Sequence, residues 1–161
     1  MSTLKKPTVA GKLASGTLAG LAGTGVMTAF QKLVEMPLTG RRESYAPAHA
    51  VERLLRTRTR GRRRRMLNYI AHFGIGAGWG VAFAVAAQRG LHGQRAVVAV
   101  FPAFYSADVL LNTAIRVYRP MTWSFQDVVI DVGEKLIQAE ATSLIFDNVF
   151  AGIRSSAAAA A

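Results

Sequence analysis

The chain has 161 residues, a net charge of +11, no cysteine and a mean hydropathy of +0.23, so it is one small, basic and unusually apolar unit. Without cysteine there are no disulfides, thiolate metal sites or cysteine nucleophiles. Strong basicity ordinarily points to nucleic acid, but here Lys and Arg gather at the ends of apolar runs, where membrane topology and anionic lipid place them, so no nucleic-acid partner is assigned.

Residues 1–10 form a polar leader with Lys5, Lys6 and Pro7. Residues 13–35 read as a first membrane span, and Lys12 and Lys32 bracket its uncharged core. That profile also fits a secretory signal peptide, and a retained span is the reading taken. Gly16, Ala19, Gly20 and Gly23 give small-xxx-small spacing, which lets another backbone approach closely, either in a second molecule or within one bundle. Lys32 and Glu35 are an i, i+3 pair, and Pro37 is expected to stop the helix.

The connection 38–65 carries ten arginines against Glu43 and Glu52. Within it, residues 47–60 read as a short amphipathic helix on the membrane surface, Ala48, Val51, Leu54 and Leu55 opposing Arg53, Arg56 and Arg60. The alternative is a solvated basic loop. Arg62, Arg63, Arg64 and Arg65 then precede a second span, 66–88, with no charge until Arg89. Its glycines at 74, 76, 78 and 80 alternate as in a strand, but a lone strand leaves its backbone unsatisfied in lipid, so a helix is expected with Gly76 and Gly80 on one close-approach stripe. His72 lies just before that stripe.

A third span, 96–115, lies between Arg95 and Arg116 and contains Pro102 and the carboxyl of Asp108. Tyr118 and Trp123 suit the headgroup level. The last helix, 124–153, carries a polar stripe of Asp127, Asp131, Glu134, Lys135, Gln138 and Thr142, with Glu140 and Asp147 on the other side. It is read as a tilted fourth span over 128–153 rather than an interfacial helix. The tail Ser155–Ala161 carries no functional assignment. The expected fold is thus a single all-α integral membrane domain, a bundle of about four transmembrane helices with a short basic amphipathic helix between the first and second. About twelve Lys and Arg flank the spans on the side of the first connection against about six on the other, which predicts both termini outside and the arginine-rich connection in the cytoplasm.

Three pieces together resemble the YagU-like family of bacterial inner-membrane proteins. They are the glycine-rich 16–23 leading into the Glu35–Pro37 element, the run Ala71-His72-Phe73-Gly74-Ile75-Gly76, and the last helix with Asp131 and Glu134. A histidine frequent in the last helix of that family is absent here, where Glu134 and Lys135 stand instead. The resemblance implies a four-helix bacterial inner-membrane protein, with a link to acid tolerance in one member.

A charge at bilayer depth costs about 2.5–3.5 kcal/mol on insertion scales, so buried ionisable residues face a partner or a wet cavity. His72, Asp108, Glu134, Lys135 and Glu140 are the candidates for an intramembrane polar cluster and a proton relay. The structural alternative satisfies Asp108 near the interface beside Arg116 and pairs Glu134 and Lys135 with loop arginines. His49, His72 and His92 are scattered, with no ligand partner at i+3 or i+4, so no metal is assigned. A haem held by His72 is conceivable beside so many glycines, but no cofactor is assigned. No nucleophile triad, phosphate loop or paired-carboxylate motif marks an enzyme. Arg53, Arg56, Arg60, Arg62, Arg63, Arg64 and Arg65 are the candidates for holding anionic lipid or an acidic partner subunit. The function expected is a non-enzymatic accessory or scaffold subunit, packing against other integral membrane subunits through Gly16, Gly20, Gly23, Gly76 and Gly80. The alternative is a small transporter or proton-conducting protein.

Overall fold

The computed structural model describes residues 8–150, with side chains through residue 148; the leader before Thr8 and the chain from 151 on, including the alanine tail, lie outside the described residues. It is all-helical, with no strand among the described residues. The first helix, α1 (Val9–Thr39), is capped by Thr8, whose hydroxyl accepts from the Gly11 N–H at 3.1 Å. Pro37 does not end it. The helix widens to π geometry over Gln31–Glu35, where the Met36 N–H bonds to the Gln31 carbonyl, and closes with one more α turn, Met36–Thr39. Proline lacks an N–H and crowds the carbonyl four residues back; the wider turn relieves both and lets the helix run on to Gly40 (φ 67).

A second helix, α2 (Ala46–Leu54), lies in the connection. It is shorter than the 47–60 read from the sequence, leaving Arg56 and Arg60 beyond its end. Ala48 is fully buried, and the Asn68 side chain accepts from the Ala48 N–H at 3.1 Å while donating to the Ser44 carbonyl at 3.0 Å, so the start of α2 is tied to the next helix. That helix, α3 (Gly61–Gln88), takes the arginine block as its first turn. Then come α4 (Gln94–Ala114), with Pro102 inside it, and α5 (Phe125–Leu144), which continues as a π-helical turn over Ile145–Phe150. A capping box starts α5: Asp127 N–H donates to Ser124 Oγ at 3.1 Å and Ser124 N–H donates to Asp127 Oδ2 at 2.8 Å.

The four long helices form a ring in which α1 packs on α3 and α5, and α4 on both of the same neighbours. Gly16 meets Gly80, and Gly20 meets Gly76, so α1 and α3 run antiparallel with backbones touching. A Cβ on Gly20 would lie 2.7 Å from the Gly80 nitrogen, and one on Gly23 would lie 3.0 Å from the Gln138 carbonyl oxygen in α5. The other half of the ring packs through Trp79, Phe83, Val97, Val100 and Ala139, with Phe101 and Phe104 against Trp79.

Polar side chains share the interior with the apolar core, while large apolar side chains lie on the outside. Thr24, Asn68, Asn112, Gln138, Thr142 and Ser143 are buried, whereas Leu18, Ile70, Val98, Leu110 and Leu144 are exposed. Three helices, α1, α3 and α4, are long and apolar enough to cross a membrane. That is the pattern of a multi-pass membrane protein.

Candidate functional site

The π segment of α1, the first half of α3 and the first half of α5 diverge around a cavity of about 580 Å³. Arg41, Arg42, Thr122, Trp123 and Asp127 line it at the end where the two connections lie, so it opens on the arginine-rich side. Near the mouth Arg41 pairs with Asp127 at 3.0 Å, the Tyr69 hydroxyl donates to Glu43 at 2.7 Å, and Lys32 binds both Tyr69 and Glu43. Bonds from Ser124 hold the Asp127 carboxyl below the usual aspartate range, with Arg41 adding to the effect. Glu35, buried on the π segment, accepts from the Thr39 hydroxyl at 2.8 Å.

Deeper in, Gln31 Nε2 donates to Glu134 Oε2 at 2.7 Å, and Thr28 Oγ1 lies 3.1 Å from His72 Nε2. The wall between α4 and α5 holds the densest charge. Lys135 Nζ sits 2.7 Å from Asp131 Oδ1 and 3.5 Å from Asp108 Oδ2. The Tyr105 hydroxyl donates to Asp131 Oδ2, and Asn112 donates to Asp108 Oδ1, each at 2.9 Å. The Tyr105 and Tyr118 rings each lie 5.6 Å from the ammonium, close enough for cation–π attraction. Burial pushes the Tyr118 phenol up to about 12, so it meets Lys135 as a neutral ring. Asp108 Oδ2 is buried and has no hydrogen-bond partner among the described residues, so that lone pair is directed at a charge it does not quite reach.

The floor is closed. Gln138 Nε2 donates to Thr24 Oγ1 at 2.9 Å, Met27 and Trp79 are buried beside it, and below them α1 and α3 meet glycine to glycine. A side chain or solute entering from the arginine-rich side therefore reaches Lys135 and stops at Gln138.

Of the residues expected to form an intramembrane cluster, the cavity gathers His72, Asp108, Glu134 and Lys135. His72 faces Thr28 instead of a carboxylate. Glu140 stands apart: it accepts from Gln94 at 2.8 Å near the α3–α4 turn, because six residues of helix turn it well away from the Glu134 face. Asp131, Tyr105, Gln31 and Gln138 complete the site. The i, i+4 spacing of Asp131 and Lys135 is visible in sequence; the cross-helix partners are not. His92 and Asp147 pair at 2.9 Å at the far end of the bundle. Among the described residues no three His, Asp or Glu side chains are grouped to hold a metal.

A second, shallower space of about 700 Å³ lies on the arginine-rich side and collects Arg53, Arg56, Arg58, Arg60, Arg64 and Arg116 around Glu52. Arg62, Arg63 and Arg65 remain outside it, exposed on the first turn of α3. Hydrogen bonds from Thr59 hold the Glu52 carboxyl low, and burial followed by Arg64 pushes the His49 imidazole low, so His49 is a neutral group at the edge of this groove near pH 7. Arg58 and Arg116 are additions that the sequence pattern did not single out. Compared with known proteins, the chain matches no family model, no curated protein and no solved structure.

Proposed function

We propose that the chain is a four-span protein of the bacterial inner membrane that acts as a small transporter, taking a proton or a small protonated amine into the cavity from the arginine-rich, cytoplasmic side. The single observation that carries this reading is Lys135, an ammonium lodged at the wall of a one-sided cavity between Asp131 and Asp108. The cavity lining holds six carboxylates against four cations, and away from the exposed Lys32, Arg41 and Arg42 at the mouth, Glu35, Asp108, Asp131 and Glu134 face Lys135 alone, so an added cation is favoured there. In the empty cavity Lys135 compensates two carboxylates; an arriving cation competes for them. α5 completes the ring as the fourth span, and α2 with Arg53 and the arginines that follow it lies at the membrane surface. The YagU-like resemblance accords with four spans, and its acid-tolerance link accords with proton handling.

An accessory subunit of a larger complex is the second reading. It rests on helix faces open to a partner, and Gly16, Gly20, Gly23, Gly76 and Gly80 all meet the chain's own helices. Gly25 and Gly74 remain with open space.

Purified protein in liposomes loaded with a pH-sensitive dye tests the transport reading. Protein-dependent proton or methylammonium flux is expected, and Asp131→Asn reduces it about tenfold or more. Flux no faster than in empty liposomes at every pH sinks the proposal. Orientation is checked separately: a cysteine at Thr57 is expected to stay protected from impermeant reagent in intact cells while one at His92 reacts, and the reverse pattern overturns a cytoplasmic mouth.

A further inference from the structure

Three helices end in the same double hydrogen-bonded cap. At the end of α2, the Thr57 N–H bonds to the Glu52 carbonyl at 3.0 Å and the Arg56 N–H to that of Arg53 at 3.4 Å. At the end of α4, Val117 bonds to Asn112 at 2.8 Å and Arg116 to Thr113 at 2.9 Å. At the end of α3, Leu91 bonds to Ala86 at 3.0 Å and Gly90 to Ala87 at 3.1 Å. This cap forces one residue into the left-handed region, where a side chain carrying a Cβ costs about 1–2 kcal/mol and glycine does not. At α3 that residue is Gly90 (φ 81), and at the single-bonded left-handed end of α1 glycine is used likewise, Gly40 (φ 67). At α2 and α4 it is arginine: Arg56 (φ 51) and Arg116 (φ 60), the only non-glycine residues with positive φ among the described residues.

These two strained arginines are far apart in sequence, yet both line the groove of about 700 Å³ described above. A cation at a helix C-terminus is favourable through the helix dipole, but any residue of the last turn supplies that without strain. The groove also sets six arginines against one carboxylate, and Glu52 is already engaged by Thr59 at 2.6 and 2.8 Å and by Arg64 at 3.8 Å. Arg53, Arg56, Arg58, Arg60 and Arg116 make no ion pair among the described residues. Like charges and left-handed arginines thus converge on one space with only the engaged Glu52 carboxylate to offset them.

We infer that this groove is a binding site for a phosphorylated polyanion, with Arg56 and Arg116 closing on it from α2 and α4. The planar guanidinium fork matches phosphate oxygens two at a time, and the space exceeds one phosphate. The same chemistry is offered by the headgroup of an anionic phospholipid and by a soluble diphosphate. The inference stands apart from the transport reading, because it uses none of the cavity's side chains.

The test uses the full-length protein in nanodiscs. Inorganic pyrophosphate is titrated calorimetrically into discs of neutral phosphatidylcholine, and phosphatidylglycerol retention is measured by native mass spectrometry from mixed discs. At least one probe is expected to bind. Arg56→Gly/Arg116→Gly weakens it by about tenfold or more while leaving the ligand-free melting temperature unchanged or higher, because glycine relieves the backbone. Arg62→Gln/Arg63→Gln, with the same loss of charge outside the groove, changes binding by less than about twofold. Pyrophosphate binding in neutral discs assigns a soluble ligand; phosphatidylglycerol retention without it assigns the headgroup. Should the glycine variant fail to assemble, Arg58→Gln/Arg60→Gln must weaken binding in its place. The inference is overturned if neither probe binds, if the groove variants bind undiminished, or if both double variants weaken binding equally, which is diffuse surface charge.

Discussion

Replacing Lys135 with methionine tests whether the charge cluster at the cavity wall is integral to the bundle. The substitution keeps the stem's volume and removes the ammonium that lies 2.7 Å from Asp131 and 3.5 Å from Asp108. At an effective dielectric near 20 those two contacts amount to roughly 5–6 kcal/mol of gross attraction each, most of it offset by desolvation. Removing one member of such a set leaves buried carboxylates uncompensated, and the expected loss is about 3–5 kcal/mol. For a chain of this size that is a fall in melting temperature of roughly 6–20 °C. The matching triple variant, Lys135→Met with Asp108→Asn and Asp131→Asn, is expected to recover most of it, because no charge is then left without a partner. Asp131→Asn alone costs more than Asp108→Asn alone, since Asp131 makes the shorter contact and also holds Tyr105. Thermal unfolding in mild detergent, followed by circular dichroism, reads all four. A Lys135→Met variant within about 1 kcal/mol of the parent would refute the reasoning, because the pair then behaves like a solvated surface ion pair.

Two further predictions concern packing and pH. Gly80→Ala drives a Cβ into the Gly16 backbone and is expected to destabilise by about 1–3 kcal/mol, whereas Gly25→Ala meets nothing within 4 Å and is neutral or stabilising by up to about 1 kcal/mol; equal melting temperatures for the two would contradict the glycine contact. At the start of α5, the folded Asp127 carboxyl lies below its unfolded value, so its contribution is complete only above the unfolded value of about 4 and is lost as pH falls through the lowered folded value. Carbon-detected NMR titration is expected to place its midpoint below the ordinary aspartate range, with Ser124→Ala raising it more than Arg41→Ala; the opposite order would mean that Arg41, not the cap, sets it.

How much of this was legible in the sequence depends on whether one helix carries the signal. The Asp131–Lys135 spacing and the stripe through Gln138 and Thr142 can be counted on a single helix, and the glycine spacings of α1 and α3 likewise. What the glycines face cannot be counted, because small-xxx-small spacing reads the same whether the partner is another molecule or the next helix. Gly16 and Gly20 turn out to be used within the chain. Asp108 is in sequence a candidate for the cluster without a named partner: Asn112 stands at i+4 on the same helix, but Lys135 approaches it only in three dimensions. Pro37 read as a stop because the π turn that accommodates it has no sequence mark. Arg56 is in sequence already a candidate anion ligand, but the left-handed backbone it shares with Arg116 escaped for a sharper reason. The left-handed cap is ordinarily signalled by glycine, and here arginine occupies it.

The same inward stripe bears on whether α5 spans. It has twenty α-helical and six π-helical residues, roughly 35–39 Å and enough for a hydrocarbon core of about 30 Å. The face opposite that stripe is mostly apolar, with Val128, Val129, Leu136 and Leu144 between 39% and 58% exposed, and its two carboxylates are bonded, Glu140 by Gln94 and Asp147 by His92 and Gly93. Were Asp131, Glu134 and Lys135 lipid-facing, each would cost about 2.5–3.5 kcal/mol, too much for that face to offset. Facing Gln31, Tyr105 and Asp108, they are paired instead. As the proposed fourth span, α5 would insert only with α1 and α4 in place before it. A chain ending after residue 124 should integrate by itself, and α5 expressed alone should not. If α5 alone inserts as efficiently as α3, its polar stripe is not what conditions the fourth span, and the cavity loses the physical reason offered for its charges.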